Sequence, residues 1–222
     1  MKKTILILNI ILSSLIMIGD IFYTGFGGLW LKGLTSFGFV LMGAVNLIYA
    51  IKTKSPLKFY IIMTIGLVFS MLGDIVLNIF FIGGAILFAI GHVFYFIAYC
   101  ILERFNIKNL IPAALIFVPC ALLITLSPIF DFGGILMELV CVFYALVISC
   151  MVGKSISNYI NIKSLSNLII MIGSILFCFS DLMLLFDVFA AVPSIFGILC
   201  LASYYPAQIL LAFSLFKKIE EK

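Results

Sequence analysis

The sequence predicts an all-α polytopic membrane protein of eight transmembrane helices with both termini inside, and three observations predict it. Of the 222 residues, 65% are hydrophobic and 10% charged, with a mean hydropathy of +1.37. A soluble domain carries about 25% charged residues, so this balance excludes a soluble globule, a disordered chain and a nucleic-acid binder. Eight apolar runs approach the ~20 residues that cross a bilayer, at 4–23, 34–51, 59–80, 84–102, 109–127, 134–153, 165–187 and 194–216. Finally, the basic residues alternate between the joining segments. Twelve of the thirteen (Lys2, Lys3, Lys52, Lys54, Lys58, Arg104, Lys108, Lys154, Lys163, Lys217, Lys218 and Lys222) fall on one side, leaving Lys32 alone on the other. Cytoplasmic loops collect Lys and Arg, which puts the twelve inside.

Each run has recognisable ends. The first follows Lys2-Lys3 and resembles a signal peptide, but Met17 and Gly19 occupy the positions where a small-x-small cleavage site belongs. An uncleaved span is expected. The second lies between Lys32 and Lys52, and the third opens after Pro56 and Lys58. The fourth starts at Gly83-Gly84 and stops at Glu103-Arg104. Pro112 and Pro119 sit in the fifth, where a membrane helix tolerates them. The sixth follows Gly133-Gly134, the seventh follows Lys163, and the eighth runs from Pro193 to Lys217-Lys218. Short connections leave room for one membrane domain over 1–222 and no second domain.

Ionisable groups inside hydrocarbon cost at least ~2.5–3.5 kcal/mol and need a partner, a water cavity or a function. The candidates are Asp20, Asp74, His92, Glu138 and Asp181, accompanied by Asn78, Tyr95, Tyr204, Tyr205 and Gln208. Ser70, Asp74 and Asn78 share one helical face, as do His92, Tyr95 and Tyr99, and Tyr204 with Gln208. At 1.5 Å per residue, Asp74, Asp20 and Asp181 lie roughly 24, 25 and 27 Å from the inner lysines Lys58, Lys3 and Lys163. His92 and Tyr204 lie about 12 and 16 Å below Gly84 and Pro193. All fall in one layer, from mid-membrane toward the outer leaflet. Gly66-x7-Asp74-x2-Leu77 is echoed by Gly173-x7-Asp181-x2-Leu184, which points to two parallel four-helix halves, each giving a carboxylate to a shared cavity.

Much chemistry is excluded. One histidine cannot build a three-His zinc site, and neither H-E-x-x-H nor G-x-S-x-G occurs. Met71-Leu72-Gly73-Asp74 lacks the first glycine of the intramembrane aspartyl protease signature G-x-G-D. No phosphate-cradling glycine loop precedes a lysine. The six cysteines (Cys100, Cys120, Cys141, Cys150, Cys178, Cys200) all lie in apolar runs without a C-x-x-C pair and read as small apolar side chains. Two carboxylates with imidazole, amide and phenol neighbours remain, a set suited to general acid–base catalysis without metal or cofactor.

These residues carry a resemblance. Lys32-Gly33-Leu34-Thr35, Leu72-Gly73-Asp74-Ile75-Val76-Leu77, Gly91-His92-Val93-Phe94-Tyr95, Tyr144-Ala145-Leu146-Val147-Ile148, Ser180-Asp181-Leu182-Met183-Leu184 and Tyr204-Tyr205-Pro206-Ala207-Gln208 occur in the order found in the YhhN-like lysoplasmalogenases, which the chain resembles. Gly33 and Pro206 depart from the family pattern. The resemblance implies hydrolysis of the vinyl ether of a lysoplasmalogen to a fatty aldehyde and a glycerophospho-alcohol. The expected partners are a lysophospholipid substrate, water and membrane lipid; the sequence leaves the oligomeric state open. The expected location is a bacterial cytoplasmic membrane, crossed many times.

A vinyl ether cleaves once its β-carbon is protonated, which calls for one protonated carboxyl and one ionised group beside the cation. Asp74 and Asp181 are the expected pair, with His92, Tyr95, Asn78, Tyr204, Tyr205, Gln208 and Asp20 orienting them or the substrate. Lys32 is either a phosphate ligand or a snorkelling helix-end lysine. Two other classes use the same inventory. A proton- or solute-coupled carrier also places acids mid-membrane, and a non-catalytic lipid-binding protein would use the polar residues as interhelical glue.

Overall fold

The computed structural model describes residues 1–221; Lys222, one of the twelve inner cations, lies outside the described residues. Every apolar run becomes a helix: α1 Lys2–Phe26, α2 Leu29–Lys52, α3 Leu57–Leu77, α4 Phe81–Leu102, α5 Leu110–Leu126, α6 Ile135–Asn161, α7 Leu165–Phe189 and α8 Ile195–Glu220. All eight are long and apolar enough to cross a membrane, so the chain is a multi-pass integral membrane protein. Exposed Ile, Leu, Phe and Val side chains dominate the outer faces, as hydrocarbon surroundings favour.

The helices stop where the backbone can turn. Gly27 and Gly28 take φ of 67° and 99° between α1 and α2, a region open to glycine at little cost. Gly133 and Gly134 do the same ahead of α6. That helix runs on to Asn161, past the expected boundary at 153. The reason is Lys154, which is fully buried inside it rather than ending it. Its ammonium donates to the Arg104 carbonyl (3.3 Å) and to Asn109 Oδ1 (3.2 Å), fastening the α4–α5 connection. At the same end of the bundle Lys2 pairs with Glu220, which also accepts from the Tyr49 hydroxyl at 2.8 Å. The first and last helices therefore meet on one side.

Packing between helices relies on small residues that let backbones approach. A Cβ on Gly84 would stand 2.4 Å from the Leu77 backbone, and one on Gly66 2.5 Å from the Tyr95 ring, so α3 and α4 close on glycines. Gly173 meets Ala207 and Leu211 of α8 in the same way. The echoed glycines thus each seat the following helix. Asn9 and Asn46 exchange amide hydrogen bonds, and Asn46 also donates to the Ala212 carbonyl at 3.0 Å, which ties α1, α2 and α8 together.

The neighbour relations follow the predicted halves. α3 packs on α4 as α7 packs on α8, α2 on α3 as α6 on α7, and α2 on α8 as α6 on α4. The halves differ in that α3 also packs on α8 whereas α7 meets α4 through side chains only, and in the place of the first helix of each half. α1 covers both α2 and α8, whereas its counterpart α5 packs on α6 and stands off α4. A gap opens there.

Candidate active site

The first acid is enclosed. Asp74, one turn before the end of α3, is 2% exposed. Its Oδ2 accepts from the Ser36 and Tyr204 hydroxyls, both at 2.6 Å. Lys32 Nζ stands 3.8 Å from Oδ1 and 5.4 Å from the centre of the Tyr23 ring. Lys32 and Ser36 reach the same carboxylate because residues four apart on a helix share a face. Lys32 is only 7% exposed; its charge is turned to Asp74, not offered at the surface.

A chain of donors ends on this carboxylate. Tyr95 donates to Gln208 Oε1 (3.1 Å), Gln208 Nε2 to the Tyr204 oxygen (3.2 Å), and Tyr204 to Asp74. Since the Tyr95 hydrogen is committed, its 3.3 Å contact with Ser70 has the serine as donor. Each bond polarises the next toward Asp74. Tyr205 joins at the edge, with its hydroxyl 3.4 Å from Ser36 Oγ.

The second acid has a separate set of partners. Asp181 on α7 accepts at Oδ2 from Tyr144 of α6 at 2.6 Å. His92 of α4 places Nε2 2.8 Å from the Tyr144 hydroxyl and 3.4 Å from Asp181 Oδ2. The imidazole is fully buried, and its Nδ1 has no partner among the described residues. Phe177 lies edge-on to His92, with ring centres 4.6 Å apart, and touches Tyr204 at 5.3 Å. Phe88 packs on both Phe177 and Tyr204. These rings form a wall between the two carboxyl groups, and among the described residues no hydrogen bond crosses it.

Asp181 meets open space. A cavity of about 90 Å³ at the α4/α5 gap is lined by Asp181, Tyr144, Phe88, Cys120, Cys141 and Cys178, among apolar neighbours. Asp74 does not line it. The expectation of two acids facing one cavity is therefore met by Asp181 alone, with Asp74 behind the wall.

The remaining expected residues lie further off. Asn78 donates to the Asp74 backbone carbonyl at 2.7 Å, not to its carboxylate. Asp20 is 5% exposed, and its Oδ1 has no partner among the described residues. Two residues that touch the acids, Ser36 and Tyr144, were not among the expected site. Ser36 stands one turn beyond Lys32, and Tyr144 opens one of the quoted motifs; those were the available signals. No group of three His, Cys, Asp or Glu residues stands close enough to hold a metal ion among the described residues.

The two sets correspond by topology. Asp74 is held by α2 and α8, and Asp181 by their counterparts α6 and α4. The Ser36/Tyr204 pair and the Tyr144/His92 pair are thus the same construction with different chemistry.

Compared with known proteins, residues 32–215 match the model of the YhhN family. No curated protein and no solved structure matches the chain.

Proposed function

Since the chain belongs to the YhhN family, the lysoplasmalogenase family of membrane hydrolases, we propose that it cleaves the vinyl ether of a lysoplasmalogen, releasing a fatty aldehyde and a glycerophospho-alcohol, with Asp181 as the proton donor. The observation that carries this reading is the contact of Asp181 and Tyr144 with an apolar cavity while both are joined to the single histidine.

Hydrogen counting defines what the triad can do. The one Tyr144 hydroxyl hydrogen is aimed at Asp181, so His92 Nε2 is the donor to the phenol oxygen. In this reading His92 enters the cycle with a hydrogen on each ring nitrogen, so that the imidazolium holds one transferable proton. Moving it through Tyr144 leaves a neutral imidazole and turns Asp181 into a carboxylic acid. That acid protonates the β-carbon of the vinyl ether, and the ether oxygen stabilises the resulting oxocarbenium ion. The Asp181 carboxylate then accepts a proton from water as its oxygen adds to the cationic carbon. Collapse of the hemiacetal sends the ether oxygen off as the alcohol, with Asp181 giving it a proton and taking the hemiacetal hydroxyl proton in return, and leaves the aldehyde. The sum is addition of one water, and return of the Asp181 proton through Tyr144 to His92 leaves the triad as it began.

Asp74 serves in this reading as the ionised group. Lys32, Ser36 and Tyr204 all point hydrogens or charge at it, which is the environment of a carboxylate anion. Its fixed negative charge stands on the far side of Phe177 and Tyr204 from Asp181, oriented before the cation develops. Asp74 and Lys32 are positioning residues rather than groups that touch the substrate.

The test is aldehyde release from a long-chain alkenyl lysolipid by purified protein. Asp181→Asn is expected to lower turnover by about 10²–10⁴-fold, the usual contribution of a general acid, with extraction and folding unchanged. Turnover by this variant at the wild-type rate would remove Asp181 from the role.

A further inference from the structure

The site has a side door. Between α4 and α6 runs a groove of about 250 Å³ lined by Ala85, Ala89 and Val93 on one helix and Val140, Tyr144 and Val147 on the other, with apolar neighbours. Apart from the Tyr144 hydroxyl, its walls are hydrocarbon. Ala85, Val140 and Tyr144 also line the cavity that holds Asp181, so groove and cavity share a wall of three residues. Ala85 and Ala89 are four apart and share a face, and their small side chains hollow out the seam. From Ala85 to Val93 the groove extends roughly 12 Å along the helix axis, at 1.5 Å per residue.

Two features say what occupies it. The rim residues Ile86 and Phe143 are 52% and 63% exposed in a layer where exposure means contact with lipid tails. The end of the cavity toward the helix termini is roofed instead. Phe81 and Phe132 pack on Phe189, Phe130 packs on Phe186, and the Asp131 N–H donates to the Phe189 carbonyl at 2.7 Å. The α5–α6 and α7–α8 connections are thereby joined over the site. Apolar matter therefore reaches Asp181 from the flank. The asymmetry of the halves gives the reason: α1 seals the α2/α8 seam beside Asp74, whereas α5 leaves the matching α4/α6 seam open.

We propose that the α4/α6 seam receives the hydrocarbon tail of the substrate directly from the bilayer and lays it against Tyr144 and Asp181, so that Ala85 and Ala89 set the room for the chain. The inference rests on the function proposed above and adds the route and the tail subsite. A single seam takes a single tail, which fits a lysolipid and not a two-tailed lipid.

The experiment has two arms. Ala89→Trp fills the groove and leaves the triad residues themselves unsubstituted, and it is assayed on long-chain and short-chain alkenyl lysolipids beside Leu115→Trp, a change on the exposed face of α5. A blocked tail subsite loses about 10-fold or more in kcat/KM on the long chain, the least that one misplaced methylene costs in a hydrophobic pocket. Short-chain turnover stays within about twofold, and Leu115→Trp matches wild type on both. Long-chain turnover at the wild-type rate, or equal loss on both chain lengths, overturns the proposal. The second arm needs no turnover and no variant. A non-cleavable alkyl lysolipid with a photoreactive group at its tail end is crosslinked to the wild-type protein in bilayer discs, with excess lysolipid or excess diacyl lipid as competitor. Labelling of α4 and α6 between 85–93 and 140–147, displaced by lysolipid alone, supports the subsite. Labelling spread evenly over the eight helices, or displaced equally by diacyl lipid, overturns it. A wild-type protein that labels at the seam yet cleaves no alkenyl lipid would refute the proposed reaction and leave the tail site standing.

Discussion

Asp74 and Asp181 share a sequence motif and a depth, yet their surroundings give them different work. Three donors from α2 and α8 enclose Asp74, while Asp181 has a phenol, an imidazole and an open flank. Tyr144→Phe keeps the ring and removes the hydroxyl that hydrogen-bonds both His92 and Asp181, leaving the imidazole Nε2 3.4 Å from the carboxylate. Aldehyde release is expected to fall by about 10²-fold, at the lower end for a lost acid–base component, while the melting temperature moves little. A wild-type rate in this variant would show that the proton does not pass through the phenol. Lys32→Met leaves a buried carboxylate unpaired and is expected to cost about 3–5 kcal/mol of stability. Adding Asp74→Asn removes the stranded charge, so the double variant should melt above Lys32→Met. Thermal unfolding in detergent reads both. The acids and the histidine were legible in the sequence because ionisable groups stand out against hydrocarbon. Ser36 and Tyr144 were not, since serine and tyrosine recur throughout an apolar chain of nine tyrosines and only tertiary contact distinguishes them. Lys32 was seen, but its partner across two helices was not.

At the scale of the helix, glycine placement decides how closely α3 and α4 approach and therefore where His92 and Asp74 sit. Gly84→Ala drives a methyl into the Leu77 backbone, which cannot yield as a side-chain tip would. We expect a loss of about 1–3 kcal/mol, typical of overpacking, together with reduced turnover. Gly25→Ala, with nothing within 4 Å of the added carbon, serves as the control and should melt like wild type. Existence and order of all eight helices were readable from hydropathy and charge. The end of α6 was not, because a lysine inside a helix looks like a loop boundary until its carbonyl and amide partners are known. Nor could periodicity reveal that α5 stands away from α4, a matter of which apolar face finds a neighbour.

For the molecule as a whole, the repeat was visible only as one short motif, whereas the neighbour relations carry it through most helices. The break in that symmetry, one seam covered and its counterpart open, turns two similar acid sites into one enclosed anion and one accessible acid. Orientation follows from the basic residues. In intact cells a membrane-impermeant maleimide should label a cysteine introduced at Trp30, which is 93% exposed between α1 and α2. One introduced at Lys54 should react only after the membrane is opened. The reverse pattern would invert the topology. The chemistry itself is best decided by product analysis in D2O, using alkenyl and matched alkyl lysolipids and trapping the aldehyde at once by reduction. Protonation of the β-carbon predicts cleavage of the alkenyl lipid only, with one deuterium at the carbon next to the former carbonyl. Cleavage of the alkyl lipid at a similar rate, or an aldehyde without that deuterium, would contradict a proton delivered from Asp181 to carbon.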